Sequence, residues 1–114
     1  MPALQWAVME ANLDPVEGAE QRGKRPVLIV SCEEFNQAMP NITVLPLTAT
    51  KRQLYPSEVF LPKGKAGQRA NSIVMAHQIR TISKKRLMNL VGYLDDVQLQ
   101  HEVHQAIKEH LDLE

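Results

Sequence analysis

The chain has 114 residues, of which 44% are hydrophobic, 23% are charged and only 4% are aromatic. This length corresponds to one domain, and the composition excludes collagen-like, coiled-coil and wholly disordered chains. The longest apolar run is a few residues, far below the roughly 20 that cross a bilayer, and the first residues do not resemble a signal peptide. We therefore expect a cytoplasmic protein with no membrane partner, in which the single Cys32 stays reduced.

Charge is distributed unevenly along the chain, although it sums to zero. The stretch from Arg22 to Arg86 holds twelve of the thirteen basic residues and three acidic ones, so it carries +9 while the two ends together carry −9. A phosphate backbone responds to local positive potential rather than to the total charge of a protein. The middle of the chain is therefore either a surface for nucleic acid or a set of solvated loops, and charge alone does not separate the two.

Short apolar runs separated by glycine and proline dominate the first three quarters of the chain and predict strands. They cover residues 6–11, 26–31, 41–48, 57–61, 72–75 and 78–82. Pro46 places the third run at a sheet edge or at a bulge. This spacing favours a mainly β protein, built as a small antiparallel barrel, over a parallel α/β sheet.

The last quarter of the chain has a helical pattern. Ser83 is expected to cap a helical turn, and Asp95 or Asp96 to cap a terminal helix that covers one end of the barrel. We expect residues 1–114 to form one domain, with the barrel at about 5–82 and a helical C-terminal part at about 83–113.

No metal or cofactor site is predicted. His101 and His104 lie one helical turn apart, but their spacing is one residue short of the HExxH zinc motif, and no third ligand is evident. We expect these histidines to face solvent and the protein to need no cofactor.

Several short motifs follow one another over roughly residues 8–113: Asp14-Pro15, Gly18-Ala19-Glu20-Gln21, Lys24 to Ser31, Phe35-Asn36, Val44 to Thr48, Ser72, Gln78 to Ile82, Arg86-Leu87 and Gly92-Tyr93-Leu94. In this ordered series the sequence resembles the PemK/MazF family of toxin endoribonucleases from bacterial toxin-antitoxin pairs. The resemblance implies an SH3-like barrel with a short C-terminal α-helix, a homodimer, metal-independent cleavage of single-stranded RNA, and a cognate antitoxin that occupies the RNA site.

Three residues are candidates for catalysis. Arg25 matches the family's catalytic arginine, whose planar guanidinium suits the charge that builds on phosphoryl oxygens. Thr48 matches the catalytic threonine and would donate to a phosphate oxygen or orient the 2′-hydroxyl. His77 stands where family members often have an acid. Its imidazole would act as an acid or base, or else make a structural hydrogen bond.

The resemblance and the charge pattern together predict a set of RNA-binding residues. In the loop 49–57, cations would follow phosphates while Tyr55 stacks on a base. Asn36 would read a base edge or turn the chain after Phe35. The predicted set is Glu20, Gln21, Lys24, Asn36, Thr50, Lys51, Arg52, Tyr55, Gln78 and Arg80.

An alternative function is a non-catalytic binding module of the same fold. It would bind only an antitoxin, or inhibit gyrase as the related CcdB group does. The CcdB-like version is disfavoured because Trp6 is the only tryptophan, whereas that group uses a C-terminal one. Loss of catalysis draws support from Trp6-Ala7-Val8, which replaces the Gly-Asp pair that usually opens the family's first strand.

Overall fold

The computed structural model describes residues 2–15, 17–18 and 20–114. Strands dominate these residues, and a helix ends the chain, which confirms the predicted fold class. The elements are β1 (Ala7–Asn12), β2 (Lys24–Ile29), α1 (Glu33–Ala38), β3 (Asn41–Thr48), β4 (Glu58–Leu61), β5 (Ser72–Met75), β6 (Arg80–Ser83), β7 (Leu87–Tyr93) and α2 (Val97–Leu111). Within the described residues, no helix is both long and apolar enough to cross a membrane.

The strands form one antiparallel sheet in the order β4-β5-β3-β2-β1-β7. Strand β3 is central: one edge pairs with β2, and the other edge pairs first with β6 and then with β5. Pro46 was expected at a sheet edge or a bulge, but it lies buried within β3, opposite Val27. Its position coincides with the change of partner from β6 to β5, where a residue without an N–H is tolerated.

The barrel is not closed by hydrogen bonds, since no ladder joins β4 to β7 in the part of the chain that the structure describes. Residues 62–71, which connect β4 to β5, pack on β7 instead. A Cβ added at Gly67 would lie 2.4 Å from the Val91 carbonyl oxygen, and one added at Gly92 would lie 2.4 Å from the Ala66 carbonyl oxygen. Backbone therefore touches backbone at this contact, which only glycine permits.

The predicted boundary between the barrel at about 5–82 and a helical part at about 83–113 is wrong. Residues 84–86 form a 3₁₀ helix, capped as expected by Ser83, whose Oγ accepts the Lys85 N–H at 3.2 Å. Leu87–Tyr93 then form strand β7 rather than helix. The reason is tertiary: β7 fills the free edge of β1, with Ala7 opposite Tyr93 and bulges along the register.

The terminal helix α2 begins where its cap predicts. Asp96 Oδ1 accepts the Leu99 N–H at 3.1 Å, while Asp96 Oδ2 binds Lys65 Nζ at 3.3 Å. Val103 and Ala106 are its buried residues, and the helix contacts β4 and a 3₁₀ helix at Ala76–Gln78. The helix thus covers the end of the sheet next to the start of β4.

Apolar residues pack on both faces of the bent sheet. Along β2, Leu28 belongs to one core cluster, and its neighbours Val27 and Ile29 belong to the other. The two faces alternate because successive side chains of a strand point to opposite sides. The β2 run is therefore buried on both faces, and this packing holds in place the strand that carries Arg25.

Candidate nucleic-acid interface

Arg25 and Thr48 lie close to each other at the ends of neighbouring strands. The paired register of β2 and β3 ends with Val27 opposite Pro46, and each of the two residues lies two positions beyond this pair. Both residues line one cavity of about 520 Å³. The fold thus brings the two family-matched residues into a shared groove, while their catalytic role stays a prediction.

Two carbonyl groups hold the Arg25 guanidinium. Its Nε donates to the Arg22 carbonyl at 3.0 Å, and its Nη1 donates to the Leu47 carbonyl at 3.4 Å. A guanidinium has five N–H donors, and these two bonds are the ones it makes within the described residues. Three donors therefore remain for an anionic group in the groove.

The Thr48 hydroxyl is fixed by its neighbour in the chain. Its Oγ1 accepts the Thr50 N–H at 3.3 Å and lies 3.0 Å from Thr50 Oγ1. Thr50 lines the same cavity, as predicted for an RNA-binding residue, although its contact with RNA is untested. Because Thr48 Oγ1 accepts from a backbone donor, its own hydroxyl hydrogen is free to donate to Thr50 or to a ligand.

The central cavity continues into two others. A cavity of about 560 Å³ shares Lys24, Arg25 and Pro26 with it, and a cavity of about 320 Å³ shares Ala49, Thr50 and Ser72. The first of these adds Arg69 and the acidic Glu10 to the lining, and the second adds Lys51 and also Arg52, which is paired with Glu58. A groove lined by basic residues thus passes through the Arg25 and Thr48 pair, which favours the nucleic-acid interpretation of the +9 segment over solvated loops.

Four predicted RNA-binding residues do not line these cavities: Glu20 and Gln21 lie in the loop 13–23, and Gln78 and Arg80 lie further along the chain. Glu20 Oε1 accepts the Glu17 N–H at 3.1 Å. The Gln21 N–H donates to Gln78 Oε1 at 3.4 Å, and Arg80 Nη1 donates to the Leu13 carbonyl at 3.4 Å. Ala19 of the family motif lies outside the described residues. These contacts join Gln21 to Gln78 and Leu13 to Arg80, and direct RNA contact by the four predicted residues remains a prediction.

The location of Asn36 corrects its prediction as an RNA-binding residue. Its side chain is fully buried on α1. Nδ2 donates to the Ser31 carbonyl at 2.8 Å, and Oδ1 pairs with Ser31 Oγ at 2.5 Å. A buried amide whose donor and acceptor are both used cannot read a base edge, so Asn36 turns the chain after β2.

His77 lies on the 3₁₀ helix Ala76–Gln78, together with Gln78, which the sequence predicts to begin a strand. Its Nε2 lies 2.7 Å from Glu58 Oε2, and its ring lies 6.5 Å from the ring of His110. It is not among the residues that line the groove. This contact is the structural alternative given above, and a catalytic role for His77 stays a prediction.

Glu58 is the residue that sequence reasoning missed. Its side chain is fully buried, and its carboxylate accepts from Arg52 Nη1 at 2.7 Å, Arg52 Nη2 at 2.9 Å and the Tyr55 N–H at 2.7 Å, besides the contact with His77. Burial alone raises its pKa, but the hydrogen bonds from Arg52, His77 and Tyr55 lower the pKa to about 2. The signal in the sequence was its isolation, because Glu58 is the only acid between Glu34 and Asp95.

This low pKa predicts a loss of stability in acid. A carboxylate whose pKa is lower in the folded state stabilises the fold above its ordinary pKa of 4.5 and loses that contribution as the pH falls towards about 2. Between pH 4.5 and about pH 2, the free energy of unfolding should therefore depend less steeply on pH in Glu58→Gln than in wild type. The expected decrease in slope is up to about 1.4 kcal/mol per pH unit. Urea unfolding followed at several pH values measures the slope. An unchanged slope in a folded variant would contradict the lowered pKa.

Comparison with known proteins identifies the family. Residues 4–111 match the family described as PemK-like, MazF-like toxins of type II toxin-antitoxin systems. The chain belongs to this family. Endoribonuclease MazF9 of Mycobacterium tuberculosis is 32% identical over 111 residues, which span 93% of both chains. Endoribonuclease EndoA of Bacillus subtilis is 35% identical over 99 residues, which span 86% of this chain and 84% of the relative.

Solved structures of PemK-like, MazF-like toxins share the fold. The toxin MazF-mt6 of Mycobacterium tuberculosis superimposes with a TM-score of 0.78 at 30% identity, covering 95% of this chain and 98% of that one. MazF of Deinococcus radiodurans gives a TM-score of 0.80 at 24% identity, covering 98% and 97% of the two chains, which supports the fold alone. The resemblance noted in the sequence is thereby confirmed.

The departure from the PemK/MazF pattern at Trp6-Ala7-Val8 leaves the first strand intact. The Trp6 N–H donates to the Ile29 carbonyl at 2.8 Å, and the Trp6 carbonyl accepts the Leu94 N–H at 2.8 Å. Strand β1 pairs with β2 on one side and with β7 on the other. The altered residues therefore do not displace β2, which carries Arg25.

Proposed function

We propose that this chain is a sequence-specific endoribonuclease toxin of a type II toxin-antitoxin system, which cleaves single-stranded RNA, in particular mRNA, without a metal ion. The observation that carries the proposal is the meeting of Arg25 and Thr48 in one groove with basic residues on both sides. Membership of the toxin family and the relatives named as endoribonucleases support it.

The reaction uses a nucleophile that RNA itself supplies. The 2′-hydroxyl attacks the adjacent phosphorus, the bond to the 5′-oxygen breaks, and the products are a 2′,3′-cyclic phosphate and a 5′-hydroxyl. Negative charge builds on the phosphoryl oxygens as the new bond forms. Arg25 offers its three remaining N–H donors to this charge, since a guanidinium engages two phosphate oxygens together. Thr48 donates to a phosphoryl oxygen or orients the 2′-hydroxyl.

A homodimer, a cognate antitoxin and a cytoplasmic location complete the proposal. The family description names toxin-antitoxin systems, and a toxin of this kind acts where its RNA and its antitoxin are present. Half-exposed apolar side chains lie at both ends of the groove: Leu90 is 53% exposed and Phe60 is 46% exposed. Such residues suit contact with a second copy or with an antitoxin segment laid along the groove.

The test is cleavage of mixed-sequence RNA transcripts by the purified protein in the presence of EDTA. We expect fragments that carry a 5′-hydroxyl and a 2′,3′-cyclic phosphate, and no cleavage of a substrate with a 2′-deoxynucleotide at the cleaved position. Protein carrying Arg25→Ala, purified in parallel, controls for contaminating nuclease. Transcripts of varied sequence that all stay intact would overturn the proposal and favour the non-catalytic binding module.

A further inference from the structure

The side chain of Arg52 is engaged in the protein. Both terminal nitrogens donate to the Glu58 carboxylate, at 2.7 and 2.9 Å, and Nη1 also donates to the Gln53 carbonyl at 3.0 Å. The carboxylate neutralises the guanidinium charge, and the Arg52 side chain is only 22% exposed. Arg52 is therefore poorly placed to act as a free cation for a phosphate, which was its predicted role.

The same guanidinium lies over the Tyr55 ring. Arg52 Cζ lies 4.0 Å from the centroid of the Tyr55 ring. A guanidinium stacked on an aromatic face makes a favourable cation-π contact and restricts the rotation of the ring. The Tyr55 residue nevertheless remains 58% exposed, so Arg52 leaves much of it accessible to solvent.

Glu58 connects these contacts. One of its oxygens accepts the Tyr55 N–H at 2.7 Å, and both oxygens bind Arg52. A single buried carboxylate thus holds the backbone of Tyr55 directly and holds its ring through Arg52. Glu58 begins β4, where Met75 of β5 pairs with it, so the carboxylate is anchored to the sheet while the residues it holds lie in a loop.

The loop lies beside the groove. Thr50, Lys51 and Arg52 line the cavity of about 320 Å³ that adjoins the Arg25 and Thr48 cavity. An RNA strand that leaves this catalytic pair along the groove would pass the loop that carries Tyr55. Stacking of a base on an aromatic ring tolerates any base.

We propose that Glu58 positions Tyr55 as a stacking platform for an unpaired nucleobase of the RNA substrate. In this arrangement Arg52 packs against the Tyr55 ring and does not contact a phosphate. This inference rests on the proposed function. Ordering of the ring before RNA binds lowers the entropy cost of stacking. Glu58 is accordingly a positioning residue, which acts on the affinity for RNA and not on the chemical step.

The experiment measures equilibrium binding of an RNA oligonucleotide that contains the cleaved sequence, with the 2′-hydroxyl at the cleaved position replaced by hydrogen. Tyr55→Leu is expected to weaken binding by about 5- to 150-fold, the range for loss of one stacked base. Glu58→Gln and Arg52→Lys are expected to weaken it by at least fivefold, although Arg52→Lys keeps the positive charge. The double variant of Glu58→Gln with Tyr55→Leu should be no more than about twofold weaker than Tyr55→Leu, because both changes remove the same contact.

Two further measurements separate positioning from a general structural role. Single-turnover cleavage at saturating protein should stay within about threefold of wild type in these variants, so that the loss appears in KM and not in kcat. Glu33→Gln is the matched control, because Glu33 is also a hydrogen-bonded carboxylate but lies on α1. Burial raises the pKa of Glu33, but hydrogen bonds from Gln5, Gln37, Leu4 and Asn36 lower the pKa to about 2. This control should lower the melting temperature while leaving RNA affinity unchanged.

Each outcome decides between the hypotheses. Wild-type affinity in folded Glu58→Gln, or in Tyr55→Leu, would overturn the positioning role while the cleavage activity stands. Wild-type affinity in Arg52→Lys together with weak binding in Arg52→Leu would show that the positive charge contacts phosphate, and would also overturn it. If Glu58→Gln does not fold, Arg52→Lys and Tyr55→Leu carry the test. A wild-type protein that neither binds nor cleaves RNA would overturn the proposed function itself.

Discussion

Replacement of Arg25 by alanine is expected to lower the rate of RNA cleavage by about a hundred- to a thousandfold, the usual loss when one charge-stabilising donor is removed from an active site. The side chain makes two hydrogen bonds to carbonyl groups and presents its other donors to the groove. Because the side chain is only half-buried, the variant should fold. Arg25→Lys should lose nearly as much activity, since an ammonium keeps the charge without the planar pair of donors.

Thr48→Ala is expected to cause a loss of similar size, of about a hundredfold or more. Thr48→Ser keeps the hydroxyl and should recover most of the rate. Thr43→Ala is the matched control on the same strand, because Thr43 Oγ1 pairs with Thr81 Oγ1 at 2.8 Å and does not line the groove. Single-turnover rates measure the effects, with circular dichroism to check folding. For the first variant, Arg25→Ala, activity within tenfold of wild type would contradict the role of Arg25 in stabilising charge on the phosphoryl oxygens.

The fold could be predicted where local pattern and tertiary pairing agree. The runs at Asn41–Thr48 and Ser72–Met75 form strands with the expected bounds, since both are rich in β-branched and aliphatic residues and begin at a polar residue. The short helix α1 was missed. Its six residues bury only Asn36, so they give no apolar periodicity to detect. The local sequence places Leu87–Tyr93 in the helical part, because the pairing of this segment with β1 leaves no signal in a local window.

In the candidate site, too, the sequence predicts what short motifs carry and misses what depends on tertiary contacts. Arg25 and Thr48 came from the family motif, and the register of β2 and β3 brings them together. The sequence predicts RNA contacts for Arg52 and Tyr55 because a cation and an aromatic ring lie in one loop. This pattern does not reveal that Glu58, at the start of the next strand, neutralises Arg52. Burial of Glu58 depends on strands β4 and β5 and on His77, which lies 19 residues further along the chain.

Gly67→Ala should be among the most destabilising single substitutions, because two costs coincide at this residue. Gly67 has a φ of +83°, a conformation that costs an L residue about 1–2 kcal/mol. Its new Cβ would also lie 2.4 Å from the Val91 carbonyl oxygen and 3.2 Å from Gly92 Cα, which are backbone atoms that cannot rotate away. Overpacking of this kind adds about 1–3 kcal/mol.

Gly64→Ala separates the two costs within the same loop. Gly64 has a φ of +84°, but a Cβ there would meet nothing within 4 Å. Urea unfolding of both variants at one protein concentration should show Gly67→Ala to be less stable than Gly64→Ala by the overpacking cost, about 1–3 kcal/mol. Because Gly67, Gln68 and Arg69 line the groove beside Arg25, Gly67→Ala should also weaken RNA binding while Gly64→Ala should not. Equal stability of the two variants would mean that the loop does not close the open side of the sheet by direct backbone contact.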